Sequence, residues 1–542
     1  MFEKIKNINS LTIIFIIIFF IIQLNNISLG GTTIDERSID NGNQITYEKL
    51  KIISKLDIVE NSSINPMLKN ISKMETYGQF VSLQQFYFSR LFNESELLSN
   101  YFDKNELFSS FYSKTTFLRY LYLNIYVSGM LLILYFIISR FKNKRFAFLF
   151  IVLLVLTPSF SGHSLFNQKD ISFLFHIFLA NLLIIQTGLS KNNKLFYLAS
   201  ILSGISISLR ISGIFFIFAA VLFSIIYQLT SIKKSWSEVI YYYSKFSVIS
   251  IFTFLLVSPG SWFAPIKFIS SSLSQQIFLS WTGSTLTNGV FIPAENISSF
   301  YLIIWLFYKL PAVYNFLIVS AIFGLYFKIL RKDIFYQFSI FFLLFVNITF
   351  IFYKPEVYDG IRQFLFLLPY IIYISTSILL EVNKKFKILI PITIFYLVFT
   401  QYGLGPYKYV YFNEFTVEET ITYECQNIDG CGNWLTDYWG FSAKNLADYI
   451  NKNNIQEVYL CKTQELWDPY IDESLNPNYG DLNALKPEFY LAAIYRPRLN
   501  NDGCGFIKNN IDYDCKIVYR TEVELRNNSI DLNYLKKCSL SN

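Results

Sequence analysis

Charge is what this sequence has little of. Only 16% of its 542 residues are Asp, Glu, Lys or Arg, against about 25% in a soluble globular domain. That shortage excludes a disordered chain and a single soluble α/β domain. Cysteine is absent before Cys425, and histidine occurs twice, at His163 and His176. No CxxC pair accompanies those histidines, so a zinc site is not expected. No Walker-type glycine loop is present, which argues against an ATP-driven machine. What the chain has instead is 53% hydrophobic and 19% aromatic residues, with a mean hydropathy of +0.36. These come in apolar runs separated by short Lys/Arg-rich gaps, the pattern of a chain solvated by lipid.

Eleven runs approach the roughly 20 apolar residues that cross a bilayer. They lie near 11–24, 116–139, 146–160, 171–189, 195–209, 211–229, 246–264, 311–329, 334–352, 363–380 and 388–402. Every second gap is basic, as at Arg140–Arg145, Lys233/Lys234, Lys328–Lys332 and Lys384–Lys387. An N-inside, C-outside chain with about eleven crossings puts all the basic gaps in the cytoplasm. The first run, after Lys4 and Lys6 and before Gly30/Gly31, also fits a cleavable signal peptide. The expected fold is therefore an all-α polytopic membrane domain over residues 1–402, including a first extracytoplasmic loop at 31–115. An extracytoplasmic domain over 403–542 follows it. The net charge of +7 is mainly orientation signal, so no nucleic-acid partner is expected.

Cysteine supports that orientation independently. Cys425, Cys431, Cys461, Cys504, Cys515 and Cys538 all fall in the C-terminal region. An even number confined to one hydrophilic segment reads as disulfides in an oxidising compartment, with the pairing left open. Strand-like pieces at Glu457–Cys461 and Cys515–Tyr519 point to a small α/β module.

Chemistry is then sought among polar residues on the outer face. Asp35 and Glu36 follow the first run closely and could serve as a general base and its orienting partner. Asp40 is a substitute, and solvated loop acids are the plainer reading. The loop at 158–170 places His163, Asn167, Lys169 and Asp170 between two apolar runs. Such density is costly at a bilayer edge unless the groups are paired or wet, though Asp170 could simply cap the next helix. Arg210 interrupts an apolar stretch at its outer tip. Lys309 and Arg362 sit at outer helix ends, Arg362 just after Tyr358 and Asp359. An anionic ligand would explain three cations on the face where the positive-inside rule does not place them. Snorkelling to lipid phosphate is the rival.

Four strings carry a family resemblance. They are Asp35-Glu36, Gly162-His163-Ser-Leu-Phe-Asn167-Gln-Lys169-Asp170, Tyr358-Asp359-Gly360-Ile-Arg362-Gln-Phe364, and Pro406-Tyr407-Lys-Tyr-Val-Tyr411-Phe-Asn413 with Asp437-Tyr438-Trp439-Gly440 downstream. In that order, over residues 1–445, the chain resembles the GT-C superfamily of integral-membrane glycosyltransferases. The likeness is to the bacterial protein-mannosyltransferase and aminoarabinose-transferase type. The resemblance implies sugar transfer from a polyprenyl-phosphate donor to a lipid, glycan or protein acceptor. It makes Asp35 the base and Glu36 its partner, lines the pocket with Lys169 and Asp170, and assigns Arg362, with Lys309 or Arg210, to the leaving phosphate. Gln363 departs from the pattern, since related bacterial sequences tend to carry His there. No cofactor is firmly implied, and a divalent metal is left open. The expected location is a bacterial plasma membrane, with the endoplasmic reticulum as the alternative. A surface-glycan ligase or polymerase, a flippase for a lipid-linked sugar, and a non-catalytic scaffold are the competing functions. Oligomeric state is not legible.

Overall fold

The computed structural model describes residues 10–33, 36–54, 75, 78–94, 111–189, 192–262, 264–277, 283–324, 328–358, 360–416, 433–460, 464–467, 469–478, 487–494, 513–526 and 528–540. Among these, seven helices are long and apolar enough to cross a membrane: Ser10–Leu29, Lys114–Phe141, Gln168–Leu189, Gly213–Thr230, Trp236–Leu256, Ile334–Tyr353 and Arg362–Val382. This marks a multi-pass membrane protein. The runs expected near 195–209, 311–329 and 388–402 fall on shorter apolar helices, Asn193–Leu209, Ala312–Gly324 and Leu389–Phe399. The run near 146–160 falls on Lys144–Val155, only 12 residues long. The run placed at 246–264 lies on a helix that starts earlier, at Trp236. There a capping box marks the true start: Ser235 Oγ accepts from Glu238 N–H and the Glu238 carboxylate accepts from Ser235 N–H.

The helices sort by what surrounds them. Gln168–Leu189 and the segment Arg362–Val382 are buried along nearly their whole length. Ser10–Leu29, Gly213–Thr230 and Trp236–Leu256 bury only a narrow stripe and turn residues such as Ile18, Phe218 and Phe252 outward. Lipid tails are as apolar as Leu, so such helices are held by close packing and internal hydrogen bonds rather than by hydrophobic exclusion. Asn181 Nδ2 donating to the Tyr370 hydroxyl at 2.8 Å and Tyr336 donating to Ala321 O at 2.8 Å are bonds of this kind.

Gap residues gather at two opposite ends. At one end Lys142 pairs with Asp333 at 2.5 Å, which also caps the helix Ile334–Tyr353. The two basic gaps around these residues therefore share a face, as the alternation predicts. At the other end lie the first-loop helices Glu36–Ser54 and Gln79–Glu94, a hairpin of β1 (Ser284–Thr287) and β2 (Val290–Pro293), and the C-terminal region.

The helical core continues past the last apolar helix. Leu404, Tyr407–Phe412 and Trp434–Phe441 pack into it, and a separate apolar cluster begins at Ala443. The latter joins the helix Ala443–Lys452 to a four-stranded sheet of order β3-β4-β6-β5, with β3 Val458–Leu460, β4 Glu488–Ile494, β5 Tyr513–Leu525 and β6 Asn528–Leu540. β3 and β4 are parallel and the other pairs antiparallel. Cys515 and Cys538 face each other across β5 and β6 and form a disulfide. The small α/β module is thus present. Cys425, Cys431, Cys461 and Cys504 lie outside the described residues.

Candidate functional site

The residues of the 158–170 loop form a short buried helix, Pro158–His163, and the start of the helix Gln168–Leu189. Asn167 caps that helix, because its Oδ1 accepts from Asp170 N–H at 3.2 Å. The capping role considered for Asp170 therefore belongs to Asn167, and the Asp170 carboxylate is free for other work. It accepts from Asn167 Nδ2 at 2.9 Å and forms an ion pair with Arg210. Arg210 reaches it because the apolar stretch 196–230 breaks at Arg210–Ser212 between two helices, at the tip where sequence placed it. Both side chains are largely buried, so the pair is weakly screened.

His163 sits at the centre of this node, 1% exposed. Asn167 Nδ2 donates toward its Nδ1 at 3.3 Å, and its Nε2 lies 3.0 Å from the Tyr438 hydroxyl. The amide can only donate there, so Nδ1 accepts and Nε2–H is the donor to Tyr438. Burial pushes the imidazole down to about 3, outweighing Asp170, while Arg362 and Lys309 add to the depression. His163 is thus a neutral hub. Rings of Phe166, Tyr409, Tyr438 and Trp439 surround it at centroid distances of 6.0 to 6.4 Å.

The two other outer cations reach the same node. The Arg362 guanidinium lies 4.7 Å from the Tyr358 ring centre and 4.5 Å from that of Trp439. The segment before it is set by Gly360, whose φ of +70° favours glycine and whose N–H donates to the Tyr301 hydroxyl at 3.0 Å. Lys309 is held by protein groups. Its ammonium donates to Tyr409 O at 3.1 Å and lies 3.6 Å from the Phe412 ring centre. Burial pushes it well below the usual lysine range. In this state it braces the 404–413 segment against the helices.

That segment forms the roof. Gly162 comes so close to Tyr409 that an added Cβ would stand 2.2 Å from the Tyr409 backbone nitrogen. Asn413 Nδ2 donates to Leu310 O at 2.8 Å. The Tyr409 hydroxyl donates to Asp437, which also accepts from Phe441 N–H at 3.1 Å, Ser442 N–H at 3.0 Å and Ser442 Oγ at 2.5 Å. Asp437 is fully buried, and burial raises its pKa although all four donors oppose this. Asn533 of β6 donates to Ser442 O and Oγ, each at 2.9 Å, tying the turn to the sheet.

The first loop meets this roof. Gly31 N–H donates to Phe441 O at 2.9 Å, and Lys444 Nζ to Ser28 O at 2.6 Å. Asp35 lies outside the described residues, as does Asp359. Glu36 begins its helix with its N–H on Thr33 O at 3.1 Å, is buried, and stands 3.6 Å from Arg119. Arg119 also holds Asp40 at 2.5 Å. The ring of Tyr120 bridges this acidic corner to the node, 6.5 Å from Phe166 and 6.2 Å from Phe441.

The structure thus brings His163, Asn167, Asp170, Arg210, Lys309, Tyr358 and Arg362 into one place and sets Glu36 beside it; Lys169 is half-buried at the same helix start. Sequence reasoning missed Arg119, although a cation inside a long apolar run is a functional signal in itself. It quoted Tyr409 and Asp437–Trp439 as strings without giving them roles. Among the described residues no cluster of three His, Cys, Asp or Glu side chains could hold a metal ion. No family model matches the chain, and no curated protein matches it.

Proposed function

We propose that this protein is a membrane glycosyltransferase of GT-C type, moving a sugar from a polyprenyl-phosphate donor to an acceptor at the outer face of a bacterial plasma membrane. One observation carries the reading: Arg210 and Arg362, from two distant helix ends, converge on Asp170, with Lys309 close to His163, beside the corner that opens with Glu36. Leaving phosphate needs charge stabilisation where negative charge grows, and Arg supplies a planar donor fork for it. In the proposed step the acceptor hydroxyl oxygen bonds to the anomeric carbon as the carbon–oxygen bond to phosphate breaks. Asp35 takes the hydroxyl proton, and polyprenyl phosphate leaves. On this reading the four shorter apolar segments also cross, giving eleven spans with the cysteine-bearing domain outside.

The test uses purified full-length protein with radiolabelled polyprenyl-phosphate sugar and a membrane extract as acceptor source. Label should move to acceptor with release of polyprenyl phosphate, and Asp35→Asn should lower turnover by at least about a hundredfold. Unchanged turnover in that variant sinks the base assignment. Movement of intact donor across a vesicle membrane without transfer favours a flippase.

A further inference from the structure

The helix Pro265–Ile277 follows the membrane helix Trp236–Leu256 through the short turn at Pro259–Ser261, and it has three faces. Phe268 and Ser272 are buried on one. Ser270 and Ser274 stand exposed on a second, with exposed Lys267 beside them. The third is apolar and open: Ile266 is 83% exposed and Leu273 is exposed too, with half-buried Ile269 between them. Their spacing of three and four residues lines them along one side of the helix. At 13 residues the helix is about 20 Å long, too short to cross a bilayer.

Its two other contacts set where it lies. Trp262 donates its indole N–H to Leu255 O at 3.1 Å and to Leu256 O at 3.2 Å. Those carbonyls end the membrane helix, where the helix's own N–H groups run out, and Trp262 is otherwise 47% exposed. Phe252 and Leu256 of the same membrane helix are exposed as well, on the surface that a span turns to acyl chains. The open apolar surface therefore continues from the span, across Trp262, onto Ile266 and Leu273. On the buried side, an added Cβ at Gly260 would stand 3.0 Å from the Phe268 ring and 3.5 Å from Glu75 Cβ. Glu75 is ion-paired at 2.8 Å with Lys49 of the first-loop helix Glu36–Ser54. The helix is thus fixed to the end of the molecule that carries the first loop.

We infer that Pro265–Ile277 is an interfacial helix lying flat on the bilayer, with Trp262, Ile266 and Leu273 seated between phospholipid head groups and acyl chains. Such a helix buries its apolar face by about 5–10 Å and leaves its polar face in water. Tryptophan at that depth keeps its ring in the apolar layer and its N–H on a polar partner, as Trp262 does on Leu255 and Leu256. The Lys267 cation on the serine side complements lipid phosphate. The bilayer is favoured over a second copy of this chain because the open face continues the surface of a span. Seating of this kind is independent of the chemistry at the node; it fixes the first loop, through Glu75 and Lys49, relative to the lipid surface.

The full chain, one copy per phospholipid nanodisc, is given an environment-sensitive fluorescent amino acid at Ile266, Leu273 or Ser270. Nitroxide-bearing lipid and aqueous iodide are the quenchers. Iodide should quench the probe at Ile266 and Leu273 at least about fivefold less than at Ser270, and nitroxide lipid should quench those two most. Because a probe could disturb the helix, native Trp262 supplies a second readout, taken as the difference between wild type and Trp262→Phe. Nitroxide lipid should quench that signal and iodide should not. Iodide reaching Ile266 as readily as Ser270 overturns the inference, as does a Trp262 signal insensitive to nitroxide lipid. Shielding of Ile266 from both quenchers means that protein covers the face, and overturns it too.

Discussion

Arg210→Met gives the most direct measure of how dry the node is. The Asp170 and Arg210 side chains are 7% and 15% exposed, so removing the cation leaves a carboxylate that water reaches poorly. Breaking a buried pair in this way costs 3–5 kcal/mol as a rule of thumb, roughly. Asp170 keeps the Asn167 amide at 2.9 Å and the nearby charge of Arg362, so about 3 kcal/mol is the expected loss. Asp170→Asn leaves an arginine that can swing toward the surface, and should cost about 1–2 kcal/mol. The double variant removes both charges and should be more stable than the two losses summed, by a coupling of about 2 kcal/mol. Reversible unfolding in mixed micelles, run on wild type, both singles and the double, completes the cycle. A coupling below about 0.5 kcal/mol, or an Arg210→Met protein as stable as wild type, would refute the reasoning. Either result means the carboxylate is solvated or protonated where it stands.

Further outcomes are expected elsewhere in the site. Folded His163 stays neutral down to about 3 while its ordinary value is 6.5, so the unfolded chain takes up the proton first as pH falls. Stability from this group is complete above pH 6.5 and is lost toward pH 3, by up to about 1.4 kcal/mol per pH unit. Melting temperatures at pH 7.5 and 5.0 should therefore fall further apart for wild type than for His163→Gln. Arg119→Gln releases Glu36 and Asp40 together and should cut transfer at least about tenfold, read as kcat rather than KM, with little loss of expression. Gly162→Ala forces a methyl against the Tyr409 backbone and should destabilise by about 2 kcal/mol or more. A melting temperature equal to wild type would mean the roof can lift at no cost.

How much of this was legible in the sequence depended on which physical signal each residue carried. Apolar runs and basic gaps are long-range averages, and they placed the helices and the grouping of Lys142 with Asp333 on one end. Their lengths were less legible. Lys144–Val155 and Leu389–Phe399 are too short for a bilayer alone, and neighbouring polar residues blurred their ends. Arg210 and Arg362 were legible because a cation at an outer helix end is an exception to a strong rule. Lys309 was flagged for the same reason, yet its partners are a carbonyl and a ring, and neither leaves a mark in the local sequence. Asn167 was passed over as the cap because Asp170, three residues on, is an equally good capping residue. Asp437 and Trp439 gained their meaning only from the fold, which sets them against helices that precede them by hundreds of residues in the chain. Tertiary proximity of that kind has no periodic signature.

The roof has a consequence for biogenesis. Tyr409, Asp437 and Trp439 emerge from the ribosome after every apolar helix, and Asn533, which ties their turn to β6, emerges later still. A chain halted after Leu389–Phe399 would carry its helices, first-loop acids, Phe166 and Tyr358, but neither the Tyr409, Tyr438 and Trp439 rings nor the brace for Lys309. Under the proposed chemistry, synthesis order acts as a safeguard: a copy not yet translated through the roof lacks part of the site's lining. On that reading the completed C-terminal sheet, which ties the turn through Asn533, is the last part needed to close the roof.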